Sequence, residues 1–264
     1  MRRPVGERPL IPLVVLACMG LAVFAVPLVG LISRVPWSTL PTVLTGEVVT
    51  DALRLSVVTS LAATAISLAL GVPLAWLLAR VEFPGRSLVR GVVLLPLVLP
   101  PVVGGAALLF ALGRRGVVGE PLAEATGLVL PFSIWGVVLA ATFVAMPFLV
   151  ITVEGGFRNL DRRYEGAASS LGAGRWTVMR QVTLPMIGPS LLAGVVLTWA
   201  RAFGEFGATV TFAGNLQGRT QTLPLAVFVA LESDRPTAIA ISLIMVVVSL
   251  LVLIALRERW RRVL

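Results

Sequence analysis

Six long apolar runs dominate this chain of 264 residues and restrict what it can fold into. The runs cover residues 10–33, 55–79, 91–113, 128–153, 187–213 and 236–256. Each is at least as long as the roughly 20 residues that a helix needs to cross the hydrocarbon of a bilayer. Because backbone polar groups in lipid must be satisfied within the segment, the runs are predicted to be helices. We therefore expect an all-α membrane protein with six transmembrane helices.

The positive charges are distributed unevenly among the segments that join these runs. All 22 basic residues are arginines, and the net charge is +9. If the N-terminus is cytoplasmic, the inner segments carry fifteen arginines and six acidic residues, whereas the outer segments carry six of each. Such an excess marks the cytoplasmic side of a membrane protein. We therefore expect both termini in the cytoplasm, and we favour this topology over nucleic-acid binding.

Several residue types on which enzymes depend are missing. A nucleotide-binding P-loop requires a lysine that reaches the phosphates, and the chain has no lysine. The absence of histidine excludes Ser-His-Asp catalysis, and a single cysteine excludes a multi-cysteine zinc site. Glu205 is the one acidic residue inside a predicted span. The sequence predicts no catalytic residue, no metal site and no cofactor bound by this chain.

The third run contains a cluster of prolines and glycines. Its sequence LLPLVLPPVVGG places Pro100 and Pro101 just before Gly104 and Gly105. Proline removes a backbone donor and clashes with the preceding turn, so this helix is expected to be kinked or interrupted. Broken helices often line the pathway of a transporter, but a proline kink can equally serve helix packing. Pro100 and Pro101 are therefore candidate pathway or gate residues, with both interpretations open.

The largest predicted inner segment comprises residues 154–186 and is called here the 154–186 loop. It is amphipathic and helix-prone, and the sequence Gly-Ala-Gly at 172–174 interrupts it. One interpretation is a solvated linker stabilised by lipid headgroups. The other is a docking element, because Ala167, Leu171 and Trp176 supply enough apolar surface to occupy a groove on another protein.

Residues 164–185, YEGAASSLGAGRWTVMRQVTLP, resemble the signature loop of ABC-importer permeases, E-A-A-x3-G-x9-I-x-L-P. The matching positions are Ala167, Ala168, Gly172, Val182, Leu184 and Pro185. Gly166 occupies the position of the family's glutamate, and Glu165 lies one residue earlier. These eight residues are the candidate site for coupling to an ATPase.

The resemblance implies a type I ABC importer transmembrane domain (MetI-like) in a bacterial cytoplasmic (inner) membrane. Residues 1–50 would hold the N-terminal segment and first helix, residues 51–257 the transporter core, and residues 258–264 a basic cytoplasmic tail. In such importers the signature loop inserts into a cytoplasmic ATPase subunit, which binds ATP and Mg and performs the hydrolysis. The implied assembly is a homodimer in membrane lipid, joined by two ATPase subunits and an extracytoplasmic oxyanion-binding protein.

Three further stretches, residues 95–105, 200–215 and 220–228, look like the molybdate branch of these permeases. Sulfate, thiosulfate and tungstate permeases are similar over the same stretches, so they stand as alternatives to a molybdate permease. A stand-alone channel or an ion-coupled transporter is the rival from another class. It would need intramembrane acids or a filter sequence, and Glu205 next to Arg201 provides little of either.

Arg201 and Glu205 in the fifth run are four residues apart, so they are expected to share one helix face and neutralise each other. Because charge is costly in lipid, the pair should face protein or a water-filled cavity. It could lock two helices in register or belong to the pathway or gate. Gly204, Gly207 and Ala208 leave room for a close helix neighbour, as expected at a two-fold dimer interface.

Two threonines of the same run complete the candidate pathway or gate. The hydroxyls of these two residues, Thr198 and Thr209, and that of Thr211 could be offered to a passing oxyanion. Threonine in a membrane helix also commonly bonds its own helix backbone. Both interpretations of these residues stay open.

Overall fold

A computed structural model describes residues 10–260 and the side chains of residues 10–254. These residues form fourteen α-helices and one π-helical segment, with no strand among them. The helices before the 154–186 loop are α1 Ile11–Ser33, α2 Leu40–Leu44, α3 Glu47–Arg80, α4 Arg86–Val98, α5 Pro101–Leu112, α6 Gly119–Thr126 and α7 Ile134–Asn159. The remaining elements are α8 Arg162–Ser170, α9 Arg175–Val178, the π segment Met179–Thr183, α10 Leu184–Met186, α11 Gly188–Phe203, α12 Gly207–Phe212, α13 Leu223–Ser233 and α14 Arg235–Trp260.

Four of these helices are long and apolar enough to cross a membrane, namely α1, α3, α7 and α14. A fifth span is formed if Arg175–Met186 and Gly188–Phe203, which meet at a bend of 70°, are counted together. The third apolar run is divided between α4 and α5, and neither half is long enough alone. The all-α membrane architecture is confirmed, whereas the count of six spans and the side of the termini stay predictions.

The fourth apolar run becomes helical later than the sequence indicated. Its predicted start was residue 128, but α7 begins at Ile134, so Pro131 lies outside the helix. Ser133 caps this end, because its hydroxyl accepts a hydrogen bond from the backbone N–H of Gly136 at 3.1 Å. At the other end α7 continues to Asn159, so the first six residues of the 154–186 loop are the last turns of this helix.

Helix α7 is the centre of the fold and packs between α3 and α11. Leu149 of α7 is fully buried between two glycines, one on each neighbour. A Cβ on Gly71 of α3 would lie 3.0 Å from one Leu149 methyl group, and a Cβ on Gly194 of α11 would lie 3.0 Å from the other. Small residues of this kind let membrane helices approach closely and gain dispersion contacts.

Among the four long membrane helices, α1 differs because none of its residues is buried. Among the elements with substantial contacts, it packs only against α14. By contrast, α14 and α13 contribute Ile241 and Leu223 to a buried cluster with Phe203 of α11. The core that positions the candidate sites therefore starts after α1.

Candidate functional site

The interruption predicted in the third run is present. Helix α4 ends at Val98, and Pro100 has extended backbone angles of φ −54° and ψ 133°. Pro101 then occupies the first position of α5, where its missing N–H costs no helical hydrogen bond. Both prolines are exposed on this chain. They produce two separate short helices instead of one kinked span.

The fifth run is also broken, which corrects the expectation that Arg201 and Glu205 share one helix face. Helix α11 ends at Phe203, and Glu205 lies in the non-helical link to α12. The ion pair is nevertheless formed, with 2.6 Å between the Arg201 Nη1 and the Glu205 Oε2. The Glu205 Oε1 accepts a hydrogen bond of 2.7 Å from the backbone N–H of Ala208. The carboxylate thus joins the end of α11 to the beginning of α12.

Burial makes the Glu205 carboxylate depend on these two partners. Only 2% of the Glu205 side chain is exposed, whereas 26% of the Arg201 side chain is. A buried carboxylate is costly unless a cation and hydrogen-bond donors compensate it. Glu205 has both, and its negative charge near the first turn of α12 is also favourable for the helix dipole. The geometry is that of a structural clamp on a broken helix.

The two broken helices meet each other. A Cβ on Gly207 would lie 2.9 Å from the Cβ of Pro101, and a Cβ on Gly105 would lie 2.7 Å from the carbonyl oxygen of Ala208. Within this chain, the close neighbour of Gly207 and Ala208 is therefore α5. Gly204 does not take part in this contact. A Cβ placed on it would have only the carbonyl oxygen of Ala200, in the preceding helix, within 4 Å, at 3.6 Å.

The candidate threonines lie in the packed interior. Thr198 and Thr209 are 0% and 1% exposed, and neither hydroxyl has a hydrogen-bond partner among the described residues. The alternative of a bond to the helix backbone therefore does not hold for these two, although Thr211 does donate to the carbonyl of Gly207 at 2.8 Å. Buried hydroxyls without partners are uncommon. In this conformation both are shielded from solvent.

The 154–186 loop contains the helix α8, which is capped at both ends. The carboxylate of Asp161 accepts a hydrogen bond from the backbone N–H of Arg163 at the N-terminus. At the C-terminus Gly172 has φ 88°, and the N–H of Ala173 donates to the carbonyl of Ala168 at 3.1 Å. This is a Schellman motif, in which a residue in the left-handed region ends the helix. The left-handed backbone at this turn explains why the signature has a glycine at position 172.

Glu165 is directed towards the protein and not towards solvent. Its Oε1 lies 3.2 Å from the Arg80 Nη2 at the end of α3 and accepts a hydrogen bond of 2.7 Å from the Thr183 hydroxyl. Sequence reasoning missed both partners. Thr183 stands at an unspecified position of the signature, and Arg80 is 85 residues away in the chain.

The other signature residues divide between an exposed and an inner group. Gly166 and Ala167 are exposed, Ala168 and Val182 are half-buried, and Pro185 is exposed. Leu184 packs against the core cluster that contains Leu149.

Large apolar side chains are exposed beside the signature residues. Leu171 is 88% exposed, Trp176 75% and Tyr164 55%. Leu171 follows α8 directly at the turn made by Gly172, and Trp176 belongs to α9. An exposed apolar surface of this kind marks a contact with another protein or with lipid.

A second group of ionic contacts, also missed from the sequence, ties the neighbouring helix ends together. Arg90 of α4 pairs with the buried carboxylate of Glu154 in α7, and Arg158 lies 3.8 Å from the same carboxylate. Arg86 and Arg90 both donate to the backbone carbonyl of Leu78 near the end of α3. The base of the 154–186 loop is thus fixed by arginines. Within the described residues no group of three His, Cys, Asp or Glu side chains is placed to hold a metal ion.

Two interrupted helices that pack against each other, together with a capped and exposed signature helix, are the features of a membrane subunit of an ABC importer. The chain belongs to the family described as binding-protein-dependent transport system inner membrane components, which matches residues 71–263.

Curated relatives refine this family. The molybdenum transport system permease protein ModB of Mycobacterium tuberculosis is 46% identical over 92% of this chain and 92% of its own. The protein of the same name from Escherichia coli is 41% identical over 80% of this chain and 92% of its own. The sulfate transport system permease protein CysT of Escherichia coli is 35% identical over 90% and 86%. The resemblance to molybdate permeases and, at lower identity, to sulfate permeases is confirmed.

Solved structures show the same fold. A bacterial alginate ABC transporter, in complex with a periplasmic protein that carries an alginate pentasaccharide, has a TM-score of 0.75 at 17% identity, covering 96% of this chain and 94% of that one. The inward-facing MetNI methionine ABC transporter has a TM-score of 0.59 at 16% identity, covering 83% and 94%. The prediction of a type I ABC importer transmembrane domain is confirmed.

Proposed function

We propose that this chain forms the translocation pathway of an ATP-driven molybdate importer in a bacterial cytoplasmic membrane. The observation that carries the proposal is the 154–186 loop. The first part of its signature sequence lies in α8, a helix capped at both ends, and Gly166, Ala167 and Leu171 are exposed there. A surface of this kind, on a chain with no P-loop lysine, is suited to receive mechanical work from a separate ATPase.

The contacts of Glu165 provide a route for that work. A movement of α8 acts on Arg80 at the end of α3 and on Thr183 in the π segment that leads into α11. Both α3 and α11 pack on α7, so displacement of the loop is transmitted to the central helices as a rigid-body movement. ATP and Mg would reside on the ATPase, and two copies of this chain would enclose the pathway.

The gate in this proposal is the junction of α5 and α12. Broken helices place chain ends and polar groups at mid-membrane depth, where transporters use them. The clamp between Arg201 and Glu205 would keep α11 and α12 in register while the helices move. The unpaired hydroxyls of Thr198 and Thr209 would become available to an oxyanion when the packing around them opens.

The assignment of the anion follows the curated relatives. The two molybdenum permeases are 46% and 41% identical to this chain, against 35% for the sulfate permease. Sulfate is therefore the second candidate, and tungstate is a third because it shares the tetrahedral shape and double negative charge of molybdate.

The test is the ATPase activity of the reconstituted complex. This chain, its ATPase subunit and its extracytoplasmic binding protein are placed in liposomes with molybdate, tungstate or sulfate. We expect molybdate-loaded binding protein to stimulate hydrolysis and anion uptake together. If only sulfate stimulates hydrolysis, the transported anion is sulfate and not molybdate. If none of the three anions does, the proposal of an ATP-driven importer is wrong.

A second arm tests the rival channel or ion-coupled transporter. Liposomes that contain this chain without the ATPase are loaded under an anion gradient, with and without a proton or sodium gradient. We expect no anion flux, because energy enters through the ATPase. Flux from the chain alone would replace the importer with the rival class.

A further inference from the structure

Two cavities of opposite character meet at the inner end of α3. The first has a volume of about 590 Å³ and is lined mainly by apolar side chains, among them Val72, Pro73 and Trp176. The second has a volume of about 260 Å³ and is lined by charged side chains. The charged lining consists of Arg80, Arg162, Arg175 and Glu165. Trp76 and Arg175 line both cavities, so the two lie side by side.

The two cavities follow one another along α3, a helix long and apolar enough to cross a membrane. The uncharged part of α3 ends just before Arg80, and Trp76 lies one turn earlier, which is the usual position of tryptophan at a membrane interface. Val72 is eight residues from Arg80, about 12 Å along the helix axis at about 1.5 Å per residue. The apolar cavity therefore lies at the depth of lipid chains, and the arginine cavity at the depth of headgroups.

The arginine cavity carries more positive charge than the protein compensates. Its one carboxylate, Glu165, is occupied by Arg80 and Thr183. Among the described residues no carboxylate lies within 4.0 Å of Arg162 or Arg175. Guanidinium groups in this state bind phosphate well, because they present several donors in a planar arrangement.

We propose that these two adjacent cavities together bind one anionic phospholipid of the cytoplasmic leaflet. Its phosphate lies between Arg162 and Arg175, and one acyl chain follows the apolar cavity past Trp76 and Trp176. Basic pockets on the cytoplasmic side of membrane helices recognise anionic headgroups in this way. The inference rests on the proposed inward orientation of the 154–186 loop. It places a lipid directly beside Glu165 and the coupling helix.

The test is a lipid titration of the purified, delipidated complex by native mass spectrometry. The probes are phosphatidylglycerol, phosphatidylcholine of the same acyl chains, and inorganic phosphate as a competitor. The test variant is Arg162→Gln with Arg175→Gln. The matched control is Arg163→Gln with Arg180→Gln, which removes two exposed arginines from the same inner segment but from outside the cavity.

We expect the complex to retain phosphatidylglycerol in preference to phosphatidylcholine. The test variant should weaken phosphatidylglycerol binding about 30-fold at low salt, and the control less than about threefold. Trp176→Ala should weaken both lipids, since it shortens the apolar wall.

The proposal is wrong if the two lipids bind equally, or if the test and control variants lose the same amount of phosphatidylglycerol binding. It is also wrong if millimolar phosphate displaces the lipid, because the cavity would then be a site for free phosphate. The titration needs neither ATP nor transported anion. Its failure would leave the importer assignment standing, and a failed ATPase assay would not affect it.

Discussion

Arg80 lies 3.2 Å from Glu165, so the last residue of a long membrane helix holds the helix that carries the signature sequence. The same carboxylate oxygen accepts the Thr183 hydroxyl. Glu165 therefore connects three elements that are far apart in the chain: α3, α8 and the π segment before α11. The side chain of Glu165 therefore contacts other elements of the same chain, whereas the adjacent Gly166 is exposed.

Replacement of this carboxylate should uncouple hydrolysis from transport. Glu165→Gln keeps the shape but loses the ion pair and weakens the Thr183 bond, a loss of about 1–2 kcal/mol for a partly exposed charged contact. We expect ATPase activity to persist while anion uptake per ATP falls severalfold. The measurement is paired ATPase and uptake in liposomes.

Glu124→Gln serves as the control, because it removes an exposed carboxylate from α6 on the predicted outer side. Unchanged uptake per ATP in Glu165→Gln would show that the anchor does not transmit the movement of α8.

The ion pair between Arg201 and Glu205 is expected to contribute to the stability of the protein more than to anion affinity. Arg201→Gln leaves Glu205 buried without its cation, which costs about 3–5 kcal/mol when one partner of a buried pair is removed. Combining it with Glu205→Gln should recover part of that loss. Thermal unfolding of the four proteins of this double-mutant cycle gives the interaction energy. A fully stable Arg201→Gln complex that has lost only anion affinity would place Arg201 in a binding site instead.

The contact of α5 with α12 should tolerate no added methyl group. Gly105→Ala would put a Cβ 2.7 Å from the backbone carbonyl of Ala208, so the helices must move apart, at a cost of about 1–3 kcal/mol. Gly91→Ala in α4 meets no atom within 4 Å and should be neutral or slightly stabilising. Midpoint temperatures in detergent compare the two. Equal midpoints would mean that the two broken helices are less closely packed than described.

The cap of α8 should depend on its glycine. Gly172→Ala forces an alanine to adopt φ 88°, which costs about 1–2 kcal/mol and loosens the last turn of the helix. Hydrogen exchange should accelerate over residues 167–173, and uptake per ATP should fall. Gly166→Ala, in the middle of α8 with open space around it, is the matched control and should slow exchange slightly. Similar exchange in both variants would argue against the cap.

The elements that the sequence predicted well are those controlled by local physics. Proline chemistry was enough to predict the break at Pro100, and apolar length was enough for α1, α3, α7 and α14. The break at Glu205 was missed because a four-residue spacing to Arg201 fits a continuous helix just as well. What decides it is the hydrogen bond to Ala208, which depends on how α12 packs against α5.

The contacts of the candidate site were hidden for a different reason. Arg80 and Glu165 are joined only when α3 and α8 meet in space, and nothing in either segment identifies the other. The late start of α7 within the fourth run was, in contrast, open to prediction. Ser133 directly precedes α7 and has a common capping side chain.

Helix α1, which buries no residue of its own, has a consequence for how the chain is made. Membrane helices insert first and associate afterwards. Because α1 makes almost no contact with the other described helices, its insertion depends on its own apolar side chains. Its sequence is then constrained by apolarity in lipid more than by fit to neighbours within the described residues. We expect exchanges among leucine, valine, isoleucine and phenylalanine along it to leave the packing of the core unchanged.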